Sequence, residues 1–327
     1  MCLSEINATE ITQREHRVAV MMAVYNGENF LKDQLESIIN QTYKDWVLYV
    51  RDDGSSDGSV GILTSYVNRF PGSIVLIDCP SHGKRGSKSN FAAIHNWVKA
   101  NTHHHYFMFA DQDDIWLPNK IEVTVNKVIE VEKISGGPVL VHSDLEVVDK
   151  DLNSLGDSFF AYRALNPEIK DIRHLLVQNN ITGCTMAWNQ QLNELVDLTY
   201  DNIVMHDWWM ALVASSFGTI DYIATPTIKY RQHGNNVVGA TKVNTISFVL
   251  KRLMGSSHVR ETLEESYAQA STFITVFNDS LNPSVMSEIE EFISIPLHSK
   301  TNRILRLVMG GFLKQGPVQV IGQLIFA

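Results

Sequence analysis

The sequence predicts an α/β fold: a mostly parallel central sheet with helices on both faces, followed by a helical extension. Three observations predict it. From residue 17 to about 145, short apolar runs alternate with amphipathic helical segments, the pattern of strands joined by crossover helices. Several of these runs end in polar or acidic turns, as expected where parallel strands bring their carboxyl ends to one edge. From Lys242 onward the apolar spacing is helical, with breaks at Gly255-Ser256-Ser257 and Asn282-Pro283.

The elements follow in order. Residues 17–25 are apolar and read as a buried first strand. In the helix expected over 29–41, Phe30, Leu31, Leu35, Ile38 and Ile39 fall on one face. Residues 46–50 form a second strand, 59–70 a helix, 73–78 a third strand and 87–100 another helix. The fourth strand covers 106–110. Ile115-Trp116-Leu117 then returns to apolar packing, and Pro118 suits the opening of a helix over 119–133. A fifth strand covers 139–142. Residues 144–180 show no clear period and read as a loop-rich segment over the site. Beyond them come a strand at 183–188, helices at 191–198 and 206–216, and closing strands in 220–230. The expected organisation is a polar extension at 1–16, an α/β domain at 17–240 and a helical region at 241–327.

Composition narrows the function. A formal charge of −9 argues against nucleic-acid binding, which calls for a basic face. Any polyphosphate ligand needs a local cation or metal. Cys2, Cys79 and Cys184 are too widely spaced for a disulfide framework or zinc site, which fits a reducing compartment. Residues 1–16 lack the apolar core of a signal peptide, and no apolar stretch reaches the ~20 residues of a bilayer span. The expected location is cytoplasmic, soluble or peripheral at the inner face of the cell membrane.

The sharpest motif is Asp111-Gln112-Asp113-Asp114, directly after the fourth strand. Unpaired, these carboxylates repel and are costly to bury. A hard divalent cation shared with a substrate's phosphates makes them favourable, whereas a helix cap alone needs one acid. Asp111 and Asp113 are therefore candidate ligands of Mg²⁺ or Mn²⁺. The first strand ends in Tyr25-Asn26-Gly27 and the second in Asp52-Asp53-Gly54-Ser55. These are turn formers. They also place Asp52 or Asp53 at a height where a carboxylate accepts the N3–H of a pyrimidine, with Tyr25 and Asn26 beside it. Lys84, Arg85 and Lys88, followed by Asn90, form a small basic loop that suits a diphosphate or is simply solvated. His103-His104-His105 precedes the fourth strand, at the end away from the acids, and reads as a solvated loop.

These motifs, in this order, resemble the inverting, GT-A-fold glycosyltransferases of family 2. The form Phe109-Ala110-Asp111-Gln112-Asp113-Asp114-Ile115-Trp116 is similar to that of bacterial rhamnosyltransferases of polysaccharide assembly. The resemblance implies a nucleotide-sugar donor, dTDP-L-rhamnose or else a UDP-hexose, bound near Tyr25, Asn26, Asp52 or Asp53, Lys88, Asn90, Asp111 and Gln112. It implies a metal at Asp111 and Asp113, and a metal- or diphosphate-contacting His233 in Tyr230-Arg231-Gln232-His233-Gly234. It also puts the general base on Asp207, in Met205-His206-Asp207-Trp208-Trp209, with Asp144 as the alternative carboxylate. The acceptor would be a saccharide or a lipid-linked oligosaccharide. A nucleotidyltransferase would carry a basic Gly-rich loop after its first strand, where this chain has Asn26-Gly27-Glu28; a glycan-binding module would not need acids, base and histidine together.

Other residues have blander readings. Trp208 and Trp209 each suit a core, Cys184 suits packing, and Asn179–Thr185 is placed to line an acceptor pocket. Arg231 is either a phosphate contact or a surface strand residue. Residues 300–327 hold Lys300, Arg303, Arg306 and Lys314 and no acid. On one continuous helix Arg303, Arg306, Gly310 and Lys314 share a face. That suits an anionic membrane surface, or a helix packed on the α/β domain or on a second subunit.

Overall fold

The computed structural model describes residues 17–80, 86–234 and 256–326. The polar extension at 1–16, Lys84 and Arg85, and the start of the helical region at 241–255 lie outside them.

Strands β1 (Val18–Val24), β2 (Trp46–Asp52), β3 (Ile74–Leu76) and β4 (Tyr106–Ala110) are parallel neighbours in the order β3-β2-β1-β4. Register aligns their ends: Val24 pairs with Asp52, and Met22 with Ala110. Tyr25, Asp53 and Asp111 therefore leave the sheet along one edge. Beyond β4 the sheet becomes mixed. Strand β8 (Ala187–Asn189) runs antiparallel to β4 and to β6 (Val139–Val148). Strand β9 (Thr219–Arg231) runs parallel to β6, and β5 (Ile115–Trp116) closes the edge antiparallel to β9. Only the first half is wholly parallel, since short β5 and β8 run antiparallel to their neighbours.

Alternation along the strands feeds two cores. Val18, Val20, Met22 and Val24 face one side of β1, with Leu31 and Leu35 of α1 (Leu31–Ile39), Leu63 of α2 (Ser59–Arg69) and Val125 of α4 (Lys120–Ser135). Ala19 and Met21 face the other, with Phe91 of α3 (Ser87–Asn101), Leu175 of α6 (Ile172–Val177), Leu192 of α7 (Gln190–Leu195) and Trp209 of α8 (His206–Phe217).

The second core does not stop at the sheet domain. Phe273 and Phe277 of α9 (Ser256–Phe277) pack on Trp209, and Phe292 of α10 (Pro283–Ser294) and Phe312 join the same cluster. The helical extension and the sheet share one core. Asn282 caps α10 through the Ser284 N–H at 3.0 Å, with Pro283 at its first position.

Three expectations need correction. Residues 144–180 are not loop-rich throughout: β6 runs on to Val148, and β7 (Ser154–Gly156), α5 (Phe159–Arg163) and α6 follow. Elements this short carry too few periods to be read. His104 is buried, its ring bonded to the Tyr49 hydroxyl at 2.8 Å, so only His103 and His105 are solvated. The terminal stretch is two helices, α11 (Lys300–Met309) and α12 (Pro317–Phe326), separated at Gly310-Gly311, where Gly311 takes a positive φ. Lys314 is buried between them and shares no face with Arg303.

Candidate functional site

The aligned strand ends open into a cleft of about 620 Å³. It is lined by Tyr25, Asp53, Asn90, Asp111, Gln112 and Asp113 from the strand ends, and by Phe159, Arg163, Gln178 to Gly183, Asp207 and Trp208 from later elements. In loops after parallel strands the backbone no longer needs the sheet's hydrogen bonds, so side chains and N–H groups are free to meet a ligand.

The strand-end lining is held by its own polar bonds. Gln112 clamps Tyr25 from both sides, accepting its N–H at 2.9 Å and donating to its C=O at 3.0 Å. A Cβ on Gly27 would collide with the Gln112 side chain. Gly27→Ala is therefore expected to cost roughly 1–3 kcal/mol by overpacking, to lower the thermal midpoint and to weaken nucleotide binding together. A variant unchanged in both would show that the clamp has no role. The loops are further stapled by the Gly27 N–H to Ser59 Oγ and the Asn26 N–H to Ser55 Oγ, each 2.8 Å.

The two adjacent acids after β2 part company. Asp52 accepts the Gly54 and Ser55 N–H groups at 2.9 and 2.8 Å and is spent on its own turn, outside the cleft lining. Asp53 is buried, pairs with Arg51 at 2.9 Å and lines the cleft. Asn90 also lines it, but its amide is used: its oxygen accepts from Arg51 at 2.8 Å and its nitrogen donates to the Val24 C=O at 3.3 Å. It holds the Arg51–Asp53 pair in place. Asn26 is exposed and its side chain accepts the Ser56 N–H at 2.8 Å. Lys88 is not in the cleft; its ammonium donates to the Asp201 and Ile203 carbonyls at 3.1 and 2.8 Å.

The acid cluster divides by burial. Burial pushes Asp111 up to about 7, and the Asp113 and Asp207 carboxylates add repulsion. Asp114 is fully buried and also pushed well above the ordinary range, by burial and then by Asp113 and Asp111. It accepts the Arg231 backbone N–H at 3.2 Å. The ligand atoms of Asp111, Asp114 and Cys184 lie within 4.8 Å of one another. Burial and these acids raise the Cys184 thiol well above its usual value, so it stays protonated and suits neither nucleophile nor ligand of a hard cation. Asp111 and Asp113 both line the cleft with oxygen donors and fit Mg²⁺ or Mn²⁺. His233 does not join Asp111; its Nε2 meets Asp113 at 2.7 Å, with Phe30 stacked on its ring at 4.6 Å. That contact holds the Asp113 carboxylate at the cleft.

Asp207 stands at the start of α8 and lines the same cleft. It accepts the Trp208 N–H at 2.7 Å and the Gly183 N–H at 3.2 Å. Burial outweighs these bonds and raises it to about 6. A carboxylate at this level is ionised near neutral pH yet basic enough to take a proton. Asp144 is elsewhere: buried, it accepts the Phe159 and Phe160 N–H groups at 2.9 and 3.2 Å and anchors α5. Trp209 is core; Trp208 shares the core and one cleft wall. Arg231 is not a surface residue. It is buried, pairs with Asp33 at 3.0 Å, and its guanidinium lies 4.7 Å over Phe30.

Several residues escaped the sequence reading. Lys120 is fully buried, 4.6 Å over the Trp116 ring, and burial lowers it to about 8 against the pull of Cys184 and Asp114. It is a cation beneath the acid cluster. His206, stacked on Phe91 at 4.2 Å and lowered to about 3 by burial, is a neutral wall of the cleft. Its place beside Asp207 was the available signal. Phe159, Arg163 and Tyr230 carried none, since their positions depend on the path of residues 144–180 and the end of β9.

Residues 19–195 match the family model described as glycosyl transferase family 2. Among curated relatives, the dTDP-rhamnosyl transferase RfbG of Shigella flexneri is 30% identical over 243 residues, covering 70% of this chain and 76% of RfbG. An uncharacterized glycosyltransferase of Rickettsia typhi is 28% identical over 207 residues, 61% of this chain but only 59% of that protein's length. Among solved structures, S. aureus TarS 1–349 in complex with UDP-GlcNAc aligns over 95% of this chain and 90% of that one, with TM-score 0.52 at 14% identity, a likeness of fold. With its aligned acidic strand ends and this family match over more than half its length, the chain belongs to glycosyltransferase family 2, on the GT-A fold.

Proposed function

We propose that the protein is a metal-dependent, inverting glycosyltransferase that moves L-rhamnose from dTDP-L-rhamnose to a hydroxyl of a saccharide acceptor in cell-surface polysaccharide synthesis. The observation that carries the reading is the pairing of unlike carboxylates in one cleft. Asp111 and Asp113 line it together, and Asp207, near enough to Asp111 to raise it, joins them from the start of α8. The 30% identity to RfbG supports the rhamnosyl donor.

In this reading Asp53 accepts the N3–H of the pyrimidine while Tyr25 covers the base, and Arg51 and Asn90 keep the Asp53 carboxylate aimed. Asp111 and Asp113 would hold Mg²⁺ or Mn²⁺, which neutralises charge on the leaving nucleoside diphosphate. Asp207 removes the acceptor's proton as its oxygen attacks the anomeric carbon from the side opposite the diphosphate. The new C–O bond forms as the bond to phosphate oxygen breaks, and the configuration inverts. Asn179 to Thr182 and Trp208 wall the acceptor side.

A thermal-shift panel of nucleotide sugars with Mn²⁺ tests the reading. dTDP-L-rhamnose at a hundredfold excess over Kd should stabilise the protein by about 2.7 kcal/mol. A larger effect of a UDP-hexose would reassign the donor, and no stabilisation by any nucleotide sugar would sink the proposal.

A further inference from the structure

The terminal helix α12 packs Leu324 on the core but turns polar side chains inward beside it. Its buried face consists of Gln319, Gly322 and Gln323, while Ile321 is 56% exposed and Ile325 points the same way. Polar bonds set this rotation. The Gln323 amide donates to the Phe312 C=O at 2.8 Å and accepts the Lys314 N–H at 2.9 Å. Gln319 accepts from Gln178 at 3.0 Å, and Gln178 accepts the Gln315 N–H at 2.8 Å. Turning the helix to bury its isoleucines would strip these buried groups of partners, a cost of the order that desolvated amides carry. The glutamine ladder also ties the helix to Gln178 on the cleft wall. On α11, Leu305 and Met309 are also exposed, but on the side of the helix away from Lys300 and Arg303.

A second observation indicates what meets the exposed face of α12. A concavity of about 560 Å³ is lined by Arg260, His298, Lys300 and Arg303, with Phe326 at its edge and Glu264 its one acid. Lys300 donates to the Ile325 C=O at 2.9 Å, so the basic pocket adjoins the end of α12. The chain as a whole carries −9, yet no acid occurs from Lys300 to its end. Exposed aliphatic side chains bordered by clustered cations match an anionic lipid surface, whose acyl boundary takes the first and whose phosphates take the second. A second copy is a poorer fit, because a two-fold contact through this face would bring like charges together.

We infer that the exposed face of α12 docks on anionic membrane lipid, with the pocket at Arg260, Lys300 and Arg303 receiving a headgroup phosphate. The inference rests on the helical extension alone and is independent of the donor and base assignments.

Sedimentation of the full chain with vesicles tests it. Wild type should sediment with vesicles of equal parts phosphatidylglycerol and phosphatidylcholine and stay in solution with phosphatidylcholine alone. The double variant Ile321→Asn/Ile325→Asn changes solvent-facing positions, so its thermal midpoint should hold while its partitioning falls at least about tenfold. Arg260→Gln/Lys300→Gln should lose roughly fivefold per cation, the worth of a basic residue near such a surface. Equal binding to both vesicle types, or to neither, would overturn the inference. So would a dimer seen by light scattering that Ile321→Asn/Ile325→Asn dissociates while vesicles leave the protein unbound.

Discussion

Replacing Asp207 by Asn is expected to lower sugar transfer by about 10²–10⁴-fold, the usual worth of a positioned general base, while donor binding persists. The proposed donor-binding residues belong to the strand ends, and Asn retains an oxygen for the Trp208 and Gly183 N–H groups. The pH dependence follows from the raised acid. A proposed base at about 6 must be ionised to act, so kcat/KM of the wild type should rise with pH up to about 6 and level above it. The Asn variant should lack that limb. Stability carries the opposite sign. A carboxyl raised in the folded state binds its proton more tightly there than in the unfolded chain, so its ionisation costs folding free energy as pH rises past its unfolded value. Asp207→Asn should therefore melt no lower than wild type at neutral pH, and the difference should close in acid. If Asp207 were only a helix-start acid, Asn would serve nearly as well. Activity within a few-fold of wild type, in a folded variant that binds donor, would remove the base from Asp207. The base would then be sought at another carboxylate such as Asp144, whose Oδ1 accepts N–H groups at the start of α5.

Asp113→Ala should lower Mn²⁺-dependent affinity for dTDP by about a hundredfold or more, since a missing ligand should cost at least as much as a lost outer partner. In metal-free buffer the fold should survive. Asp113 raises both Asp111 and Asp114 by repulsion, so its removal relieves strain in the absence of a cation. Titration calorimetry with and without EDTA reads both effects. Affinity for dTDP that is the same in wild type and variant, and insensitive to EDTA in both, would remove the metal from this motif. His233→Ala gives a graded companion: it frees the Asp113 carboxylate without deleting it, and should cost about 10–100-fold if the contact orients a ligand.

The parallel half of the sheet and the acidic edge were legible because both are local. Tyr106–Ala110 is a strand because five consecutive side chains suit burial on both faces, and it ends where three acids begin. Neither fact needs a distant partner. The same holds for α10, whose Asn282-Pro283 start is a cap and a first-turn proline. Family resemblance then selected Asp207 among many acids, and the fold places it in the cleft.

What the sequence by itself determined is the order of strands and helices through residue 145 and the acids at one sheet edge. What only the tertiary structure decided is where polar side chains spend their bonds. Asp52 and Asp53 are indistinguishable in the chain, yet one caps its own turn and the other meets Arg51 beneath the cleft. Lys88 reaches carbonyls more than a hundred residues away, and Arg231 reaches back to Asp33. The terminal helix reads as amphipathic, but which face is buried was set by Gln178, Phe312 and Lys314 rather than by its isoleucines. Hydrophobic periodicity is written in neighbours three or four residues apart. A buried hydrogen bond depends on a partner that only the folded chain supplies, and losing one costs about as much as leaving an apolar side chain exposed.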